Sequence, residues 1–140
     1  MTSIELAAIF VAEECDFRDP LEPEEDLFKR AGITGDDAVD FFDSFAARFE
    51  VDMSGFLWYF HHEEEGFNLG GGFFGSPDKQ LHRIPITLRV LADAITNKKW
   101  SVDYPEHEAP IGRPDLFINR ILLLGVLGSL LLVTWKSLAN

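Results

Sequence analysis

The feature that most restricts the fold is a run of fifteen residues, Ile121 to Trp135, that contains no charged side chain. Ten of the fifteen are Leu, Ile or Val, and they fall on every face of a helix. An amphipathic surface helix needs a polar face, so this run predicts a helix with apolar surroundings on all sides. Those ten residues favour membrane insertion by about 3 to 6 kcal/mol.

The length of the apolar run decides whether it can cross a bilayer. The uncharged part spans about 22 Å, less than a hydrocarbon core of about 30 Å. A helix over residues 117–138 reaches about 33 Å, provided that the Arg120 and Lys136 side chains extend toward the headgroups. We therefore predict a transmembrane tail anchor over 117–138. The alternative is a helix buried in the core of a soluble domain.

The flanking charges predict the orientation of this helix. Arg113 and Arg120 lie on its leading side and Lys136 on its trailing side, and the N-terminus lacks the features of a signal peptide. We expect a single-pass protein whose preceding residues stay in the cytoplasm. Gly125 and Ser129 have the spacing of a small-xxx-small pair, which would allow two such helices to form a homodimer.

A second helix signal begins at Thr34, with Asp37 placed to form a reciprocal cap. Five apolar residues follow at helical spacing and predict one buried stripe: Ala38, Phe41, Phe42, Phe45 and Phe49. Asp36, Asp40 and Asp43 fall on the other side of the helix, and Asp36 and Asp37 also suit the positive end of the helix dipole.

The rest of the soluble part is also predicted to be mainly helical. Thr2 and Glu5 have capping-box spacing and start a helix that runs to about Cys15, and Thr87 caps another. Residues 51–60 predict a packed connection, and the glycine-rich residues 66–77 an irregular or hairpin-like insertion. Trp100 is expected to close the core.

These patterns predict an all-α fold, a small helical bundle followed by an apolar C-terminal helix. Residues 1–103 form the predicted domain. Residues 104–116 contain three prolines and form the predicted linker.

Charge distribution restricts the partners. Residues 1–65 carry 18 Asp and Glu against 4 Lys and Arg, whereas residues 66–140 carry 6 against 8. Nucleic-acid binding requires clustered cations, so the acidic surface excludes nucleic acid as a partner. It favours a basic protein partner.

The sequence contains few groups arranged for chemistry. The single cysteine, Cys15, lies among acidic residues that disfavour its thiolate, and no catalytic constellation is visible. His61 and His62 begin a cluster of metal-ligand residue types, although a zinc-binding helix needs its histidines four residues apart. A solvated polar turn is the simpler interpretation. A metal-binding protein centred on His61 and His62 is an alternative.

The stretch from Gly32 to Met53 resembles the loop and second helix of acyl carrier proteins. The chain is also similar to a bacterial acyl-carrier-protein-like family of unknown function. In that family the G-D-D-A helix start, the run R-F-x-V-D-M-S-G-F (here Arg48 to Phe56) and a later P-[IL]-T-L helix recur. The resemblance covers residues 4 to 100 approximately and implies a small helical bundle with a long first loop, from a bacterium.

In acyl carrier proteins a serine before the second helix carries phosphopantetheine. Alignment through Phe49 places Gly35 at that position, so the resemblance implies that the attachment hydroxyl and the cofactor are both absent. It also implies that the acidic second helix, with Asp36, Asp37, Asp40 and Asp43, binds a partner.

We therefore expect a non-acylated, carrier-like interaction protein rather than an enzyme, tethered to the cytoplasmic face of the inner membrane. The alternative within the family is a working carrier with an atypical attachment residue.

Overall fold

The protein is described here by a computed structural model that covers residues 1–17, 19–63, 69, 81–107, 112 and 114–138. Five helices and a 3-10 turn make up its regular structure: α1 (Ser3–Glu14), α2 (Leu27–Ala31), α3 (Gly35–Phe49), the turn Trp58–Phe60, α4 (Leu88–Asn97) and α5 (Pro114–Leu138). No strand occurs in these ranges, and one isolated bridge joins Asp52 and Lys99. The predicted all-α fold is confirmed. The glycine-rich insertion, apart from Leu69, lies outside the described residues.

Two of the three predicted helix caps are confirmed. The Thr2 hydroxyl accepts a hydrogen bond from the Glu5 amide while the Glu5 carboxylate accepts one from the Thr2 amide, and Thr87 accepts one from Val90. Thr34 is the N-cap residue of α3, as predicted, but its side chain makes no cap hydrogen bond. The Thr34 hydroxyl donates instead to the Glu63 carbonyl at 3.0 Å, which ties the start of α3 to the segment after the 3-10 turn.

The core combines phenylalanine rings from the first three helices with aliphatic residues, including those of α4, and with Trp100. Phe10 of α1 contacts three rings of the predicted α3 stripe, with centroid distances of 5.2 Å to Phe41, 5.5 Å to Phe45 and 5.5 Å to Phe49. All five stripe residues are buried, as predicted. Edge-to-face and tilted ring pairs of this kind stabilise the core beyond the area that they bury.

The chain after α4 closes the core and returns over the 3-10 turn. Trp100 is only 2% exposed, as the sequence predicts. Tyr104, the first residue of the predicted linker, also packs against the core. Farther on, His107 Nε2 and the Tyr59 hydroxyl form a hydrogen bond at 3.1 Å, and His107 Nδ1 donates to the Pro105 carbonyl. Residues 104–107 are therefore part of the domain.

Helix α5 is long and apolar enough to cross a membrane. The most apolar 18-residue window within its 25 residues has a mean hydropathy of 2.3, and none of that window is buried. The interpretation as a core helix is therefore wrong. The helix starts at Pro114, three residues before the predicted boundary, because proline is well suited to a first helical position. It extends for about 37 Å, which exceeds a hydrocarbon core of about 30 Å, and its uncharged part remains Ile121 to Trp135.

Removal of α5 should leave a folded domain. A chain that ends at Gly112 keeps every residue of the aromatic core, and we expect it to be monomeric in buffer without detergent, with the helical circular dichroism of α1–α4. The full chain should fractionate with membranes. Loss of cooperative unfolding in the shortened chain would show that α5 completes the core after all.

Candidate functional site

An open cavity of about 470 Å³ lies between α3 and the segment that follows it. We call it the α3 cleft. Its apolar walls come from Val39 and Phe42 on α3 and from residues 53–58, while Asp36 and Asp43 lie at its border. The complete set of described residues around it is Gly35, Asp36, Val39, Phe42, Asp43, Met53, Phe56, Trp58 and His62. Its volume and apolar lining are typical of ligand and side-chain pockets.

His62 contributes a buried imidazole to the lining of the α3 cleft and also lines an adjoining depression. Its side chain is 7% exposed, and its Nδ1 faces the Glu63 carbonyl at 3.2 Å and therefore donates to it. In the neutral imidazole, Nε2 is then an acceptor. Among the described residues, it is the only buried side-chain nitrogen or oxygen without a hydrogen-bond partner. An unpaired buried acceptor of this kind costs free energy that a ligand donor would recover.

His61 is fully buried next to His62, but all of its hydrogen bonds are satisfied. Its Nδ1 lies 3.0 Å from the Ile84 carbonyl, so Nδ1 carries a proton. Its Nε2 lies 2.8 Å from the Tyr104 hydroxyl. That hydroxyl already accepts two N–H groups, from Leu57 at 3.1 Å and from Trp100 at 2.8 Å, so its own hydrogen points to Nε2.

This network holds His61 in the neutral form. A protonated imidazole would have to donate to a phenol oxygen whose two lone pairs are occupied. Burial is the main cause that lowers the pKa of His61 to about 4. Burial likewise raises the pKa of the Tyr104 hydroxyl. His61 therefore has a structural role in the described domain.

The hydrogen bonds also bear on metal binding at the two histidines. Neither nitrogen of His61 is available, and in the described ranges no three His, Cys, Asp or Glu residues come close enough to hold a metal ion together. A metal bound to His62 alone would lack the ligand number that such sites use. Cys15 is half-buried, and burial followed by the charge of Glu14 raises the pKa of its thiol to about 11.

The four predicted partner-binding aspartates are all exposed on α3. Asp36 and Asp43 border the α3 cleft, and Asp37 and Asp40 border a second, polar depression together with Glu14. The fold therefore places them on two adjoining surfaces. We refer to Asp36, Asp37, Asp40 and Asp43 as the acidic ridge.

Gly35, which the resemblance aligns with the carrier serine, has a structural reason to be glycine. It is buried as the first residue of α3, its φ is +51°, and its amide donates to the Glu63 carbonyl at 3.1 Å. An L-residue in this left-handed conformation costs about 1 to 2 kcal/mol. This position therefore lacks the serine, and its backbone conformation also disfavours one.

These features define a small helical domain with an open apolar cleft, joined to a helix that can cross a membrane. Comparison of the chain with known protein families, curated proteins and solved structures gives no match. The resemblance to acyl carrier proteins therefore stays a prediction.

Sequence reasoning missed the α3 cleft. Its one signal was the aromatic segment around Trp58, which follows Gly55 without helical periodicity and which we interpreted as packing alone. That interpretation holds for Phe60, which is fully buried, whereas Phe56 and Trp58 are only partly buried.

Acid should destabilise the domain through His61. The unfolded histidine binds a proton below a pKa of about 6.5 and the folded one only near 4, so stability present at neutral pH is lost as the pH falls through that range. We expect the free energy of unfolding to fall by about 2 kcal/mol between pH 7 and pH 5. Urea unfolding of the full chain in neutral detergent, followed by tryptophan fluorescence, measures this change. In His61→Gln, whose amide stays neutral, this part of the pH dependence should disappear; equal slopes in both proteins would assign it to other groups.

Attachment of a phosphopantetheine arm gives a direct test of the atypical-carrier alternative. We expect the intact mass of the protein to stay unchanged after incubation with coenzyme A and a phosphopantetheinyl transferase. Gly35→Ser should lower the free energy of unfolding by about 1 to 2 kcal/mol because of its backbone conformation. A mass gain on the unaltered protein would establish the carrier alternative, and the modified peptide would identify the residue.

Proposed function

We propose that this protein is a non-acylated, carrier-like interaction protein that presents the acidic ridge of α3 to a basic protein partner. Helix α5 holds it, by this proposal, as a single-pass protein at the cytoplasmic face of a bacterial inner membrane. The observation that carries the proposal is the lack of charge compensation on α3.

Among the described residues of the domain, four arginines form ion pairs, and all four pair with acids outside the acidic ridge. The pairs are Arg30 with Glu25, Arg48 with Glu13, Arg83 with Asp26 and Arg89 with Glu24. No described cation pairs with an aspartate of the ridge, although Arg48 belongs to the same helix. The ridge is therefore left as a surface of uncompensated negative charge, which attracts and orients a cationic partner.

The geometry at Gly35 supports the non-acylated part of this proposal. A buried glycine with positive φ offers no hydroxyl, and a replacement would strain the start of α3.

Helix α5 supports the part of the proposal that places the protein at a membrane. A membrane anchor confines the domain near membrane-bound partners and raises their effective concentration without any new contact.

The ridge can be tested by neutralising it. In Asp36→Asn/Asp40→Asn/Asp43→Asn we expect a partner recovered with the membrane-bound protein to be lost, with at least a tenfold drop in yield if the three charges together contribute about 1.4 kcal/mol or more. Cross-linking in intact cells followed by quantitative mass spectrometry measures the yield. Partner loss should also follow from raised salt.

A charge-matched control keeps the interpretation specific. Asp19→Asn/Asp103→Asn/Glu106→Gln removes the same charge from exposed positions away from α3 and should leave the partner yield unchanged. Both variants should keep the circular dichroism of the parent. Equal losses in both variants would mean that net charge, rather than the ridge, governs association. No loss in either would refute the proposal.

A further inference from the structure

We propose that the α3 cleft receives a tryptophan or tyrosine side chain from a basic segment of the partner. The inference rests on the proposed function, since it takes the partner to be basic, and it adds the residue type that anchors the contact. Three properties of the cleft lead to it: its apolar walls, its unpaired acceptor and its acidic border.

The walls of the α3 cleft suit a large apolar ring. The Phe42 and Phe56 rings contact each other, with centroids 4.3 Å apart and ring planes tilted by 49°, and Met53 and Trp58 add adaptable and aromatic surface. The Val39 side chain is 49% exposed, although Ala38, Phe41 and Phe42 next to it on α3 are buried. A partner ring placed here would cover Val39 and gain aromatic contacts. Centrally buried aromatic side chains are the usual anchors of protein interfaces.

The unpaired acceptor selects a ring that carries a donor. Nε2 of His62 is buried without a partner, and in a neutral ring the Nδ1 donation to Glu63 leaves Nε2 as the acceptor. A phenylalanine or an aliphatic side chain would leave this nitrogen unpaired, whereas an indole N–H or a phenol O–H can donate to it. Pairing inside a desolvated pocket then adds specificity to the apolar contact.

The acidic border selects the charge of the surrounding segment. Asp36 and Asp43 lie at the cleft, and Asp37 and Asp40 continue the negative surface away from it. An anionic amphiphile, such as a fatty acid, would place its carboxylate against this border and be repelled. Lysine or arginine on either side of the inserted ring would complement it. The cleft therefore fits an aromatic donor within a cationic peptide.

The experiment uses the full chain in nanodiscs of uncharged lipid and a synthetic peptide with one tryptophan between two pairs of lysines. Three matched peptides replace the tryptophan by alanine, the tryptophan by naphthylalanine, which lacks the N–H, or all four lysines by glutamate. Binding is measured by calorimetry, and ¹⁵N chemical shifts of the His62 ring report on the cleft.

We expect the tryptophan peptide to bind at least about tenfold more tightly than the alanine peptide and to shift the His62 ring signals. The naphthylalanine peptide should bind about threefold to tenfold more weakly than the tryptophan peptide. The glutamate peptide should not bind. Val39→Phe, which narrows the cleft without a change of charge, should abolish the tryptophan preference, and Ala47→Phe, on the same helix outside the cleft lining, should keep it.

The possible failures separate the two proposals. Equal binding of the tryptophan and alanine peptides would overturn the aromatic site while leaving the acidic ridge as a binding surface. No binding of any lysine peptide would count against both. Shifts of the His62 signals by dodecanoate, with none from the tryptophan peptide, would show that the cleft takes acyl chains and would also overturn the inference.

Discussion

The hydroxyl of Tyr104 joins parts of the chain that no helix or strand holds together. It accepts the Leu57 amide and the Trp100 indole N–H and donates to His61. Through these three bonds, the irregular segment after α3 is fixed against the chain that follows α4. The outer wall of the α3 cleft belongs to that segment, so the shape of the cleft depends on this one hydroxyl. A satisfied buried network of this kind specifies a single arrangement, because any slip would leave several polar groups unpaired.

The same network separates two adjacent histidines into different roles. His61 enters the core with both nitrogens paired and remains neutral, whereas His62 keeps an acceptor unpaired at the cleft. Glu63 then binds the start of α3 through its carbonyl, which accepts from Gly35 and from the Thr34 hydroxyl. Structural and candidate binding groups thus alternate along three consecutive residues. A metal site at His61 and His62 would need a free nitrogen on each ring, and only His62 has one.

Two groups of acidic residues in the described domain likewise differ in role, those that pair with arginine and those of the acidic ridge. Arginines pair with acids of the loop before α2 and of α1, which fastens those segments to the bundle. Exposed pairs of this kind contribute little stability each. Their larger consequence is that the acidic ridge keeps its full negative charge next to an apolar cleft. An apolar centre with a charged border is the usual composition of a protein interface, and α5 would hold that interface close to a membrane surface.

The sequence by itself determined the elements that depend on periodicity and composition. The α3 stripe, the caps at Thr2 and Thr87, the closure by Trp100 and the apolar C-terminal helix all follow from spacing, because burial on one face or on every face requires those patterns. Tertiary structure alone decided the rest. The Thr34 hydroxyl donates to Glu63, Tyr104 packs against the core, and the cleft forms between α3 and an aperiodic segment. These outcomes depend on hydrogen bonds and ring contacts between residues distant in the chain, which local spacing does not encode.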